Sequence, residues 1–279
     1  MVSNVLPPRG TLQNLHTHTT YCDGTLSVED MIIAAVKCGG SSIGFSEHSY
    51  VPFDKEFSMD LEDTPGYMSE VTALKEKYMN DIDIFLGIEM DYFTDIVPKG
   101  MEYVIGAVHH VNKDGQDITI DGGTEHIIEM CKRHFDGDYY FMAESYFATA
   151  ANVACKTNAD IIAHFDLIAK RNIDGCLFDE THPRYKKAAL DSMDKLLTKC
   201  KLFEINTGAM FRYGKTMPYP SEFLLRELHK RGGEIIFSSD SHCAQSLYYK
   251  FDEMRELARS CGFKYFKRLT KDGFLDEVL

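Results

Sequence analysis

The chain is short of positive charge. It sets 30 basic residues against 43 acidic ones, a net charge of -13 over 279 residues. Broad nucleic-acid and anionic-membrane surfaces both need clustered positive charge, so neither partner is expected. An anionic small molecule held by a few arginines and metal ions stays open. Long hydrophobic runs are also missing: no apolar stretch approaches the roughly 18 residues of a membrane span. The opening "MVSNVLPPRG" carries no apolar signal core. The eight cysteines never form C-x-x-C, which argues against a disulfide framework or a zinc knuckle and predicts reduced, cytoplasmic thiols. Cys22 and Cys243 adjoin candidate site residues and are alternative ligands. Low-complexity linkers, composition breaks and internal repeats are absent, so residues 1–279 are expected to form a single domain.

What is present is strand then helix, repeated. "TLQNL" leads into a helix over "SVEDMIIAAVKCGG", with Ser27 as N-cap and Gly39 or Gly40 as its stop. The stretches "SIGFS", "IDIFLGI", "YVIGAV", "ADIIA", "LFEIN", "EIIFSS" and "FKYF" read as further strands. Amphipathic or apolar helical stretches separate them, among them "FMAESYFATAANVACKT" and "SLYYKFDEMRELARSCG". About eight strands alternating with helices predict a parallel sheet, closed into a barrel at this length. Barrel enzymes carry their chemistry at the C-terminal strand ends.

Those ends are where the ligating side chains fall. After the first strand come His16 and His18, two apart and so on one face of an extended chain. Later strands stop at Glu47 and His48, at Glu89, at His109 and His110, at His164 and Asp166, and at Asp240 and His242. Each alone has an ordinary explanation as a buried ion pair, a cap or a hydrogen-bonded core histidine. Converging together in a poorly solvated mouth they would be costly without a cation, and a metal cluster removes that cost. His126, His134, His182 and His229 lie in or beside helices and are expected to be solvated. His110 follows His109 on the opposite face, so one of the two is expected to enter the site.

The motifs "HTH", "SEH", "GIE", "AVHH", "AHFD" and "SDSH", in order along almost the whole chain, resemble the polymerase-and-histidinol-phosphatase (PHP) superfamily. The resemblance implies a distorted (β/α)7 barrel of the PHP type, with two to three divalent metal ions (Zn, Mn or Fe) at the C-terminal strand ends. It implies a first metal on His16, His18, Glu89 and Asp240, and a second on Glu89 as bridge, His109 and His164. A third would take Asp23, His48 and His242. Here the chain departs from its relatives, which commonly carry a histidine where Asp23 stands. The stretch "EINTGAMFRYGKTMPYPS" resembles the histidinol-phosphatase subfamily through Asn206, Thr207, Arg212, Tyr219, Pro220 and Ser221. "FDLIAKRN" does so too and offers Arg171.

The implied activity is hydrolysis of L-histidinol phosphate, a small-molecule phosphate ester, in histidine biosynthesis. Glu89 and Asp240 would be catalytic, and Arg171 and Arg212 would grip the phosphoryl group. The rivals are another PHP-type phosphoesterase acting on a nucleotide or sugar phosphate, a metal-dependent amidohydrolase, and an inactive metal-binding scaffold. Oligomeric state is not readable from the sequence.

Overall fold

The computed structural model describes residues 10–279, so the N-terminal stretch read above for a missing signal core lies, but for Gly10, outside it. The strands are β1 (Gln13–Asn14), β2 (Ser42–Phe45), β3 (Asp83–Asp91), β4 (Tyr103–Ala107), β5 (His110–Lys113), β6 (Gln116–Thr119), β7 (Ile161–Ile162), β8 (Leu202–Asn206), β9 (Glu234–Ser238), β10 (Tyr265–Thr270) and β11 (Gly273–Val278). The helices are α1 (Val28–Lys37), α2 (Thr64–Lys77), α3 (Thr124–His134), α4 (Tyr139–Ala150), α5 (Val153–Thr157), α6 (Pro183–Leu196), α7 (Gly208–Tyr213), α8 (Glu222–Lys230) and α9 (Phe251–Cys261). None is long and apolar enough to cross a membrane.

Seven strands form one parallel sheet in the order β1-β2-β3-β4-β7-β8-β9. Its two outer strands meet only past their ends, at a parallel bridge between Thr17 and Ser241. There His18 N–H donates to Ser241 O at 2.8 Å and Ser241 N–H donates to His16 O at 3.0 Å. The result is a near-closed (β/α)7 barrel whose seam is pinned at the C-terminal mouth.

The eighth expected strand, "FKYF", does not join the barrel. It becomes β10, which pairs antiparallel with β11. The Gln13 side chain holds this hairpin against the seam, donating to Leu269 O at 2.9 Å and accepting from Leu269 N–H at 2.7 Å. The remaining hairpin, β5–β6, turns at Asp114 and Gly115, both in the left-handed region. Asp-Gly is a strong hairpin signal that the strand–helix reading passed over.

Local sequence explains most of the rest. Helix α1 starts where the Ser27 side chain accepts from Asp30 N–H, and it buries Val28, Met31, Ile32 and Ala35 at helical spacing. The expected long helix from 141 to 157 breaks into α4 and α5. Helix α9 starts at Phe251, after the loop expected to open it, because Tyr248 and Lys250 both take φ of 56°. Inside the barrel Tyr103 fills the space left by two glycines. A Cβ at Gly87 would lie 2.2 Å from its ring, and one at Gly44 would lie 2.4 Å from its hydroxyl. That hydroxyl faces the carbonyls of Leu15 and Phe45 as a donor, tying β4 to the ends of β1 and β2 across the barrel.

Candidate metal centre

Parallel strands end on one side of a barrel, and here six of those ends deliver ionisable groups to one place. His16 and His18 follow β1, His48 follows β2, Glu89 and Asp91 lie near the end of β3, His109 follows β4, His164 follows β7, and Asp240 and His242 follow β9. Glu89 is the centre. Its Oε2 lies 3.2 Å from His16 Nε2, 3.5 Å from His18 Nε2 and 2.8 Å from His48 Nδ1. Its Oε1 lies 3.0 Å from His164 Nε2 and 3.5 Å from His109 Nε2. One carboxylate thus turns each oxygen to a different set of imidazoles.

Asp240 closes the first set, with Oδ1 3.3 Å from His18 Nε2 and 3.7 Å from His16 Nε2. It sits at φ 47°, a left-handed conformation that Asp tolerates better than most residues. A third grouping brings Asp23 together with His18, His48 and His242. Asp23 lies 3.0 Å from His242 Nε2 and 3.7 Å from His48 Nε2. All nine metal-ligand candidates from the sequence therefore join one connected cluster.

Burial and charge pull in opposite directions in this cluster. Burial alone would raise the carboxyl of Glu89, but His16, His48 and His109 hold it well below the usual range. Burial would also raise Asp240, and Arg212 and His16 outweigh it. Burial, with His48 and His242 beside it, pushes His18 down to about 3, so its imidazole is neutral. For His48 burial is outweighed by Glu89 and Asp23, and it rises to about 10. Carboxylates this deep demand positive charge, and the atoms are placed for a cation rather than for each other. His16 Nε2, His18 Nε2 and Glu89 Oε2 are buried, adjacent and without a hydrogen-bond partner. Such atoms each cost about 1–3 kcal/mol when left unsatisfied. Divalent ions with nitrogen and oxygen ligands fit this donor set.

Several neighbours keep these rings in place. Asp91 Oδ2 accepts from His109 N–H at 3.0 Å and lies 3.0 Å from His109 Nδ1. Glu47, at a strand end like the rest, groups with His18 and Cys22 and accepts from Thr19 N–H, Thr19 Oγ1 and Cys22 Sγ. Cys22 lies 3.4 Å from His18 Nδ1, but burial and Glu47 push its thiol well up, which disfavours the thiolate a metal needs. Cys243 joins none of the candidate groups and contacts Ser246. Asp166 stands apart too, accepting from Ser221 N–H, with burial raising it to about 6. His110 turns to Asp54 at 3.2 Å and packs on the Phe53 ring at the lip of the site.

A cavity of about 400 Å³ opens above the cluster, lined by His48, His109, His164, Asp240 and His242 and also by Phe57, Asp121, Lys170, Arg171, Arg212 and Tyr213. That is the size of a small-molecule site. Arg171 lies flat on the Tyr213 ring, 3.9 Å from its centre, and donates from Nε to Gly122 O. Arg212 is more committed than its expected role suggests. Its Nη2 donates to Asp240 Oδ2 at 2.8 Å, and its Nη1 donates to Asp240 O at 3.0 Å and lies 2.6 Å from His242 Nδ1. The Lys170–Asp121 ion pair on the same wall was not singled out in the sequence, and neither was Glu204 behind His16. A glutamate inside the apolar run "LFEIN" was the available signal for the latter.

Comparison with known proteins identifies the family and the fold. A family model described as "PHP domain" matches residues 14–208. The chain is 29% identical over 258 residues to the "Probable histidinol-phosphatase" of Deinococcus radiodurans, covering 88% of this chain and 92% of the relative. It is 26% identical over 245 residues to the "Histidinol-phosphatase" of Lactococcus lactis, covering 83% and 84%. The crystal structure of histidinol phosphate phosphatase from Lactococcus lactis, complexed with zinc, L-histidinol and phosphate, superposes with a TM-score of 0.71. It is 22% identical and covers 95% of this chain and 98% of that one, a likeness of fold.

Proposed function

This chain belongs to the PHP-domain family, and from that premise we propose that it is a metal-dependent phosphomonoesterase hydrolysing L-histidinol phosphate to L-histidinol and phosphate, in histidine biosynthesis. The observation that carries the reading is the division of the Glu89 oxygens between two sets of imidazoles, with buried partnerless Nε2 atoms beside it.

His16, His18, Glu89 and Asp240 would hold one divalent ion; Glu89, His109 and His164 would hold a second; Asp23, His48 and His242 would hold a third. Zinc, manganese and iron all suit these ligands. Such ions, when bound, supply positive charge to phosphoryl oxygens and acidify the attacking water. The protein's own groups do the rest. Arg171, held flat by Tyr213, directs its guanidinium to the phosphoryl group. Arg212 keeps Asp240 ionised and oriented while adding positive charge at the same wall. Ionised Asp240 can accept a hydrogen bond from the attacking water and orient it, and the leaving alkoxide oxygen takes its proton from Asp240 or from water.

The substrate is a small molecule and no nucleic acid or membrane is involved. Residues 1–279 act as one PHP-type unit in the cytoplasm, a compartment consistent with eight unpaired cysteines. The test is to incubate metal-loaded protein with histidinol phosphate, a nucleotide monophosphate, a sugar phosphate and an amide, and to measure the product of each. Phosphate release fastest from histidinol phosphate is expected. Preference for another phosphate ester would move the chain elsewhere in the family, and ammonia or amine release alone would make it an amidohydrolase.

A further inference from the structure

Glu204 lies inside β8, wholly buried, and lines no part of the cavity. A lone carboxylate there would cost several kcal/mol. Four groups surround it instead. Its Oε2 is 2.8 Å from His16 Nδ1 and accepts from Ser238 Oγ at 2.6 Å. Its Oε1 accepts from His164 N–H at 2.6 Å and from Asn206 Nδ2 at 2.7 Å. His16 and His164 are the residues that face opposite oxygens of Glu89. The same two residues are therefore held from the front by Glu89 and from behind by Glu204.

We propose that Glu204 is a positioning residue that fixes His16 with its proton on Nδ1, so that the Nε2 lone pair faces a divalent cation, and that it sets the backbone of His164 for the neighbouring ion at the same time. The proposal rests on the reading of His16 and His164 as metal ligands. The chemistry is that of an imidazole whose far nitrogen donates to an anion, which fixes its tautomer and raises its basicity. Ser238 Oγ and Asn206 Nδ2 both donate in this arrangement, so Glu204 faces donors on every side. An uncharged amide in its place must turn its NH2 toward one of them. Toward His16, it drives the ring proton onto Nε2 and blocks the ligand. Toward His164, it leaves that backbone N–H without an acceptor.

The test compares zinc affinity, by titration against a competing chelator, for wild type, Glu204→Gln and His16→Ala. Glu204→Gln is nearly isosteric and is expected to keep the wild-type circular dichroism while binding one zinc equivalent roughly 10–100-fold more weakly. Wild-type affinity in Glu204→Gln, with affinity lost in His16→Ala, overturns the positioning role and leaves the metal reading standing. Undiminished affinity in His16→Ala overturns both. Should Glu204→Gln fail to fold, nitrogen NMR of the imidazoles in zinc-loaded wild type decides. His16 protonated on Nδ1 upholds the proposal, and His16 protonated on Nε2 overturns it.

Discussion

At the scale of single residues, the two arginines and Asp23 carry the sharpest tests. Arg212 contacts Asp240 and His242 with the same guanidinium that would complement a phosphoryl group. Hydrogen bonds to charged groups are worth about 1.5–3 kcal/mol, or roughly ten- to two-hundred-fold in kcat/KM. Arg212→Ala is therefore expected to lower phosphatase efficiency by that order. Arg212→Lys should recover only part of it, because the fork is gone. Since Asp240 also loses its partner, metal content measured alongside should show whether one equivalent loosens. Wild-type turnover in Arg212→Ala would remove Arg212 from the site and leave Arg171 to bind phosphate. Asp23 sits within reach of both His48 and His242. Asp23→Ala should lose one metal equivalent by elemental analysis while the ions around Glu89 remain. Full metal content would make Asp23 only a turn residue before Gly24.

At the scale of elements, the lip of the site is tied to the strand ends through His110. Its ring bridges Asp54, in the loop after β2, and Asp91, at the end of β3. Burial lowers this imidazole, but the two carboxylates outweigh it and raise it to about 9. An unfolded histidine titrates near 6.5. A raised folded value means the native state holds the proton more tightly, so this contribution to stability is fully present below about pH 6.5 and is lost as pH rises through about 9. Urea unfolding of wild type and His110→Gln across that range should show the wild type losing stability more steeply. Parallel curves would mean that the lip is held by the aromatic packing of Phe53 on His110 instead.

At the scale of the whole molecule, the barrel is finished by its site. The outer strands β1 and β9 share no ladder, and their meeting point at Thr17 and Ser241 lies between the ligand pairs His16/His18 and Asp240/His242. Cations held across those pairs would also hold the seam. A ligand that binds only the native state at a hundred times its Kd adds about 2.7 kcal/mol, which for a chain of this size is roughly 5–10 °C in Tm. Chelation should lower Tm by at least that order, and added zinc should restore it. A Tm unmoved by the chelator would mean that the seam stands on its backbone bridge, the Asn14 bonds to Ser239 and Ser241 and the Gln13 clamp.

The mouth of this barrel is legible in the chain order alone. Strand–helix alternation with short connections forces parallel strands, and parallel strands put every strand end on one side. The spacing of His16 and His18 followed from the pleat, and the terminal positions of His48, Glu89, His109, His164, Asp240 and His242 followed from where apolar runs stop. These are local rules, acting over two to ten residues. Whatever depends on closure emerges in the folded barrel. It made seven strands rather than eight, sending "FKYF" outside because Gln13 anchors its hairpin at the seam. It split the oxygens of Glu89 between two sets of imidazoles and turned Arg212 onto Asp240. It also set Glu204 behind His16, a partner 188 positions away. No periodicity links such pairs, because they meet only when β1 and β8 are brought around the same barrel.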